Sequence, residues 1–93
     1  MSEKRLAGVW DAIQDTHAGA ENMKLRSALM MALEEHVRRQ GWTRGEAARR
    51  FGVTRPRISD LMHGKVGLFG LDTLVNMAAA AGLQVEMRIV EAA

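Results

Sequence analysis

Apolar residues recur at intervals of three and four from about Ala20 to Gln40. Met23, Leu25, Leu29, Met30, Leu33 and Val37 share one side of the wheel, while Lys24, Arg26, Glu34, Glu35, Arg38 and Arg39 fall mostly elsewhere. That period predicts one long amphipathic helix, stopped by Gly41. A second pattern follows in TRGEAARRFGVTRPRISDLMHG, residues 43–64. Thr43 and Glu46 stand at the spacing of a capping box, in which each side chain satisfies a backbone N–H at a helix start, so a helix is predicted to begin at about Arg44. Gly52 supplies a left-handed turn, and Ala48, four residues earlier, offers only a methyl where two crossed helices touch; a bulkier residue at either place is expected to push them apart. Thr54 opens the next helix, Pro56 fits its first turn because its missing N–H has no helical partner there, and Gly64 ends it. Ala47, Phe51, Val53, Ile58 and Leu61 form the predicted buried side. These are the marks of a helix-turn-helix.

Beyond Gly64, the segment KVGLFG reads as a glycine-rich, flexible connection, since Gly67 and Gly70 lack the neighbours of a phosphate-binding loop. A helix is predicted over Leu71–Ala81 with Leu71, Leu74, Val75, Ala78 and Ala79 on one face and Asp72 favouring its positive end. The pattern then changes period: Leu83, Val85, Met87 and Ile89 alternate with Gln84, Glu86 and Arg88, as in a half-buried β-strand. A lone strand leaves unpaired backbone groups, so pairing with the same strand of a second copy is expected, with Val85, Met87 and Ile89 at the dimer contact. Near the start, Leu6–Gln14 forms a short helix in this reading, with Val9, Trp10 and Ile13 on one side and Gly8 weakening it. The whole is a mainly α fold of five helices and one C-terminal strand. It divides into an N-terminal segment (1–23), a helix-turn-helix domain (24–82) and a dimerisation strand (83–91).

Composition narrows the function. The 93 residues, 47% of them apolar, suffice for one core without disulfide or metal. No cysteine is present, which excludes a disulfide scaffold and a cysteine-based zinc finger and suits a reducing compartment. His17, His36 and His63 show no metal-ligand spacing, the methionines around Leu29–Leu33 read as packing, and no membrane span or signal peptide is evident, so a cytoplasmic protein without cofactor is expected. No nucleophile–base pair, paired carboxylates or phosphate loop stands out, so no catalytic residue is assigned. The net charge of +2 hides an asymmetry. Arg38, Arg39, Arg44, Arg49, Arg50, Arg55, Arg57 and Lys65 face two acids, Glu46 and Asp60, in residues 38–65, a balance of +6, against −4 elsewhere. A positive block on a helix-turn-helix points to a polyanion, and specifically to double-stranded DNA.

In that reading the second helix, Thr54–His63, enters the major groove. Arg55 reads a base, because a guanidinium fork matches the two acceptors of guanine; Arg57 does the same or clamps a phosphate. Asp60 accepts from cytosine or orients an arginine, and Ser59 and Thr54 make short contacts to phosphate or base edges. Arg44 and Lys65 hold the phosphate backbone and fix register. Trp42 serves as a packing anchor rather than a base-stacking platform. A dimer would match a palindromic operator with half-sites about 34 Å, or a multiple, apart.

The segments EAARRFGVTRPRISDLMHGK and FGLDTLVNMAAAAGLQVEMRI resemble the XRE (Cro/C1-type, lambda-repressor-like) helix-turn-helix proteins and, within them, the HigA-like antitoxins of type II toxin-antitoxin modules, over about Lys24–Ile89. The resemblance implies a homodimeric repressor of its own operon that binds a small RelE/HigB-like ribonuclease toxin, with the segment before Lys24 and the acidic surface as toxin-contact candidates. Many relatives carry glutamine before the proline where this chain has Arg55, so their base preference does not transfer. Two alternatives stand beside this reading: a stand-alone XRE-type regulator without a toxin, and a protein-interaction module that does not bind DNA.

Overall fold

The computed structural model describes residues 17–91. Among them are four α-helices, α1 (His17–Gln40), α2 (Arg44–Phe51), α3 (Arg55–Met62) and α4 (Leu71–Ala80), with a 3₁₀ turn at Val66–Leu68 between α3 and α4. The short helix expected at Leu6–Gln14 lies outside the described residues.

All four helices end in the same way. Gly41, Gly52, Gly64 and Gly82 have φ between 68° and 79°, the left-handed region that other residues enter at a cost. In each case the glycine N–H and the one after it turn back onto the last helical carbonyls: Gly52 to Arg49 and Val53 to Ala48 after α2, Gly64 to Leu61 and Lys65 to Asp60 after α3. This is the Schellman pattern. At Gly52 the reason for glycine is this backbone angle and not crowding. A Cβ there would meet Ala80 Cβ at 3.8 Å, an ordinary contact, so the expected steric clash between helices is absent.

The helix starts are capped by threonine. Thr43 Oγ1 accepts from the Glu46 N–H at 3.1 Å, and Thr54 Oγ1 accepts from the Arg57 N–H at 3.4 Å. Only half of the expected capping box forms, because the Glu46 carboxylate is taken by Arg49 and Arg50 instead of returning to the Thr43 N–H.

Met30, Leu33 and Val37 of α1 meet Ala47, Ala48 and Phe51 of α2, Ile58 and Leu61 of α3, Phe69, and Leu74, Met77 and Ala78 of α4 in one buried cluster. The inner face of α4 is rotated from the predicted one. Met77 is buried while Val75 is 40% exposed, because α4 packs on α2 as well as on α1. Phe69, in the supposedly flexible connection, is fully buried. Arg26 of α1 fixes that connection by donating from Nη1 to the Val66 and Phe69 carbonyls, each at 3.4 Å. Trp42 anchors the turn between α1 and α2, edge-on to Phe51 (centroids 5.7 Å apart) and to His36 (5.1 Å).

No strand forms among the described residues. Residues 83–91 follow α4 without a ladder, for the physical reason that the other described residues offer this segment no second strand to pair with. Leu83 and Val85 are half-buried against the core, whereas Met87, Ile89 and Val90 are 68%, 91% and 68% exposed. No helix among the described residues is long and apolar enough to cross a membrane.

Candidate nucleic-acid interface

The turn between α2 and α3 brings the starts of the two helices together. Arg44 is the first residue of α2 and Arg55 the first of α3, and both side chains are exposed. Arg44 Nη1 donates to Ser59 Oγ, one turn into α3, at 3.3 Å. The Arg55 guanidinium lies over Gly45, the second residue of α2. Arg44, Gly45, Arg55 and Ser59 therefore make one corner, with Thr54 capping α3 beneath it.

The electrostatics of this corner are unusual. A helix N-terminus carries the positive end of the macrodipole, so a cation there is disfavoured by about 0.3–1 kcal/mol when exposed. Arg44 and Arg55 both occupy that position, and neither has an acidic partner among the described residues. The two caps leave the Arg44, Gly45 and Arg55 N–H groups without an acceptor among the described residues. Cations and free N–H donors converging at paired helix starts suit a phosphate backbone in chemistry and geometry.

The other expected contact residues are placed differently. Arg57 is half-buried and turned away from the corner: its Nη1 donates to the Leu68 carbonyl at 3.2 Å and its guanidinium covers the Phe69 ring at 5.3 Å. Asp60 and Lys65 form an ion pair at 3.5 Å. His63 caps α3, with Nδ1 donating to the Ser59 carbonyl at 2.7 Å. Val85 lies against its own chain's core, while Met87 and Ile89 have no cover.

Several cations of the basic block are already neutralised. Glu46 accepts from Arg49 and Arg50 at 2.7 Å each, and Arg38 pairs with Glu34 at 3.4 Å. Hydrogen bonds from Arg49 and then Arg50 hold the Glu46 carboxyl below its ordinary range, and the same bond raises Arg49. Gly45 and Arg26 escaped the sequence reading. A glycine in a first helical turn looks like a weak helix former, and Arg26 looks like one more solvated charge, until the residues facing them are known.

No curated protein matches the chain in sequence. Residues 12–90, most of the chain, match a family model described as a helix-turn-helix domain, and with two capped helices crossing at a glycine turn the protein belongs to that DNA-binding family.

Proposed function

We propose that the protein is a sequence-specific transcriptional regulator that binds a palindromic operator as a homodimer. The observation that carries this reading is the pair of acid-free arginines, Arg44 and Arg55, at the starts of α2 and α3. Placed at the wrong ends of two helix dipoles, they are compensated when an anion arrives. α3 lies in the major groove with its N-terminus leading, Arg55 takes the base-edge contact, and Arg44, joined to Ser59, takes phosphate. Thr54 and Ser59 add short polar contacts. Asp60 and Lys65 act as a pair, the lysine toward phosphate and the carboxylate orienting it. Arg57 holds α3 against the 66–69 turn and so sets the angle at which the helix enters the groove.

The dimer contact in this reading is the tail. Met87 and Ile89 continue the alternation begun by Leu83 and Val85 but have no apolar cover of their own, which supports pairing with the same segment of a second copy. Val85 and Met87 of the tail line one open apolar groove of about 320 Å³ with Leu25, Leu29, Leu71 and Val75, so apolar surface continues from the tail onto the helices. The resemblance to HigA-like proteins extends the reading to an autorepressing antitoxin that binds a RelE/HigB-like toxin.

The test is a fluorescence-anisotropy titration on the duplex upstream of the protein's own gene and on a scrambled duplex, at about 50 and 200 mM salt. Tighter binding to the native duplex that survives the higher salt supports autoregulation. Equal or absent binding to both removes it and favours a protein-interaction module. Truncation after Gly82 should give a monomer by light scattering, and copurification with the product of a short adjacent reading frame separates the antitoxin from a stand-alone regulator.

A further inference from the structure

Gly45 has no backbone reason to be glycine. It sits in the first turn of α2 and, unlike the four glycines that end helices, does not adopt a positive φ. Alanine would favour the helix at such a position. What glycine provides is space. A Cβ at residue 45 would stand 2.6 Å from Nη2 of Arg55, closer than a side chain can lie, and 3.1 Å from Nε and 3.2 Å from Cζ, both tight contacts. The guanidinium thus occupies the volume in which a side chain at residue 45 would begin. Among the described residues no hydrogen bond or ion pair holds it there, so its place beside Gly45 rests on the space that the missing side chain leaves. Arg44, bonded across to Ser59, lies on the adjoining position of the same turn.

We propose that Gly45 is a specificity-determining positioning residue: its missing side chain seats the Arg55 guanidinium on the first turn of α2 and so aims it before DNA arrives. This inference rests on the reading of Arg55 as the base-contacting residue. Holding a long side chain in its bound arrangement beforehand removes ordering cost from binding, and the seat also restricts which base edge the fork can reach. Because the clashing atoms belong to the end of a flexible side chain, an added methyl displaces Arg55 and leaves the fold intact.

The experiment is a selection of duplexes from a randomised library with the wild-type protein. Titrations of wild type, Gly45→Ala, Arg55→Ala and the double variant on the selected duplex and its single base-pair changes follow. Gly45→Ala should raise Tm by about 2–8 °C, as better helix formation in a small domain requires. It should nevertheless weaken binding about two- to tenfold, at the cost of one pre-ordered side chain, and relax preference at the base pair that Arg55→Ala also relaxes. Added to Arg55→Ala, it should have no further effect on binding. Wild-type affinity and preference in Gly45→Ala, with the normal loss in Arg55→Ala, overturn the seat alone. A Gly45→Ala loss that persists undiminished in the double variant also overturns it. Unchanged discrimination in Arg55→Ala overturns the base-reading assignment, and the seat with it. The Arg55 Nε–Hε resonance gives a readout without DNA: it should be more mobile in Gly45→Ala than in wild type, and equal mobility counts against the proposal.

Discussion

The two ends of α2 carry the same residue type in opposite circumstances. At its C-terminal end Arg49 and Arg50 sit where the helix dipole favours cations, and Glu46 holds both at 2.7 Å. At its N-terminal end Arg44 sits where the dipole opposes it, with Arg55 beside it, and among the described residues neither forms an ion pair with a carboxylate. Among the described residues the first arrangement is satisfied and the second is not. Counting charges in residues 38–65 gives a strong positive block, yet the count treats the two ends as equal. What distinguishes them is which cations have their compensation built in and which await it from outside.

The largest effect that would break the comparison is on binding at the unsatisfied end. Arg55→Ala should cost about 1–3 kcal/mol on a selected duplex and relax preference at one base pair, whereas Arg49→Ala should leave both nearly unchanged. Parallel titrations of the two variants read this directly, and equal losses would show that the block acts as undifferentiated charge.

Arg57 sharpens the comparison from within α3. Two residues from Arg55, it is committed to the Leu68 carbonyl and the Phe69 ring. Arg57→Ala should therefore appear first as lost stability, about 1 kcal/mol from one exposed charge-assisted hydrogen bond and one cation–π contact. Thermal unfolding measures it. If Arg57→Ala unfolds like wild type but loses base preference, the arginine leaves its seat on Phe69 and reads DNA.

How much of this was legible in the sequence depended on range. Thr43, Gly52, Thr54, Pro56 and Gly64 act on residues within about one helical turn, so their spacing announced the helix-turn-helix with its boundaries. Arg57 on Leu68 lies beyond that range, and Arg26 on Val66 and Phe69 crosses 40 and 43 residues. Nothing local marks such pairs, so the 66–69 connection read as flexible. The contact of Gly45 with Arg55 was hidden for a different reason, since an absent side chain leaves no pattern. The rotation of α4 toward Met77 fell between two equally periodic stripes, and only the position of α2 chooses between them.

A smaller effect is expected at Arg44. As a phosphate contact it contributes to affinity on every sequence, so Arg44→Ala should weaken cognate and random duplexes alike and reduce the slope of log K against log salt by about 0.9. Lys65→Ala should reduce it less, because Asp60 already offsets that charge. A salt series on both variants is the check, and a larger change at Lys65 than at Arg44 would reverse the order assigned to the two contacts.

The smallest effect tests the satisfied end by removing its satisfaction. The Glu46 carboxyl is held below its ordinary value of 4.5, first by its bond to Arg49 and then by Arg50. A carboxylate whose folded pKa is depressed stabilises the fold fully above its unfolded pKa, and the contribution fades as pH falls through the lower folded value. The raised Arg49 pKa reports the same bond from the other side and is fully in force at every pH below the usual arginine value, so the acid limb alone is accessible to titration. Wild type should therefore exceed Glu46→Gln in Tm at about pH 7 and approach it at about pH 3. The backbone N–H of residue 46 still meets Thr43 in this variant, so the cap is not the cause. At neutral pH Glu46→Gln also releases Arg49 and Arg50, and random-sequence binding at low salt should strengthen while base preference stays fixed. A gain in affinity beside a loss in stability is the outcome expected of internally compensated cations; unchanged binding would place both arginines off the DNA-facing side.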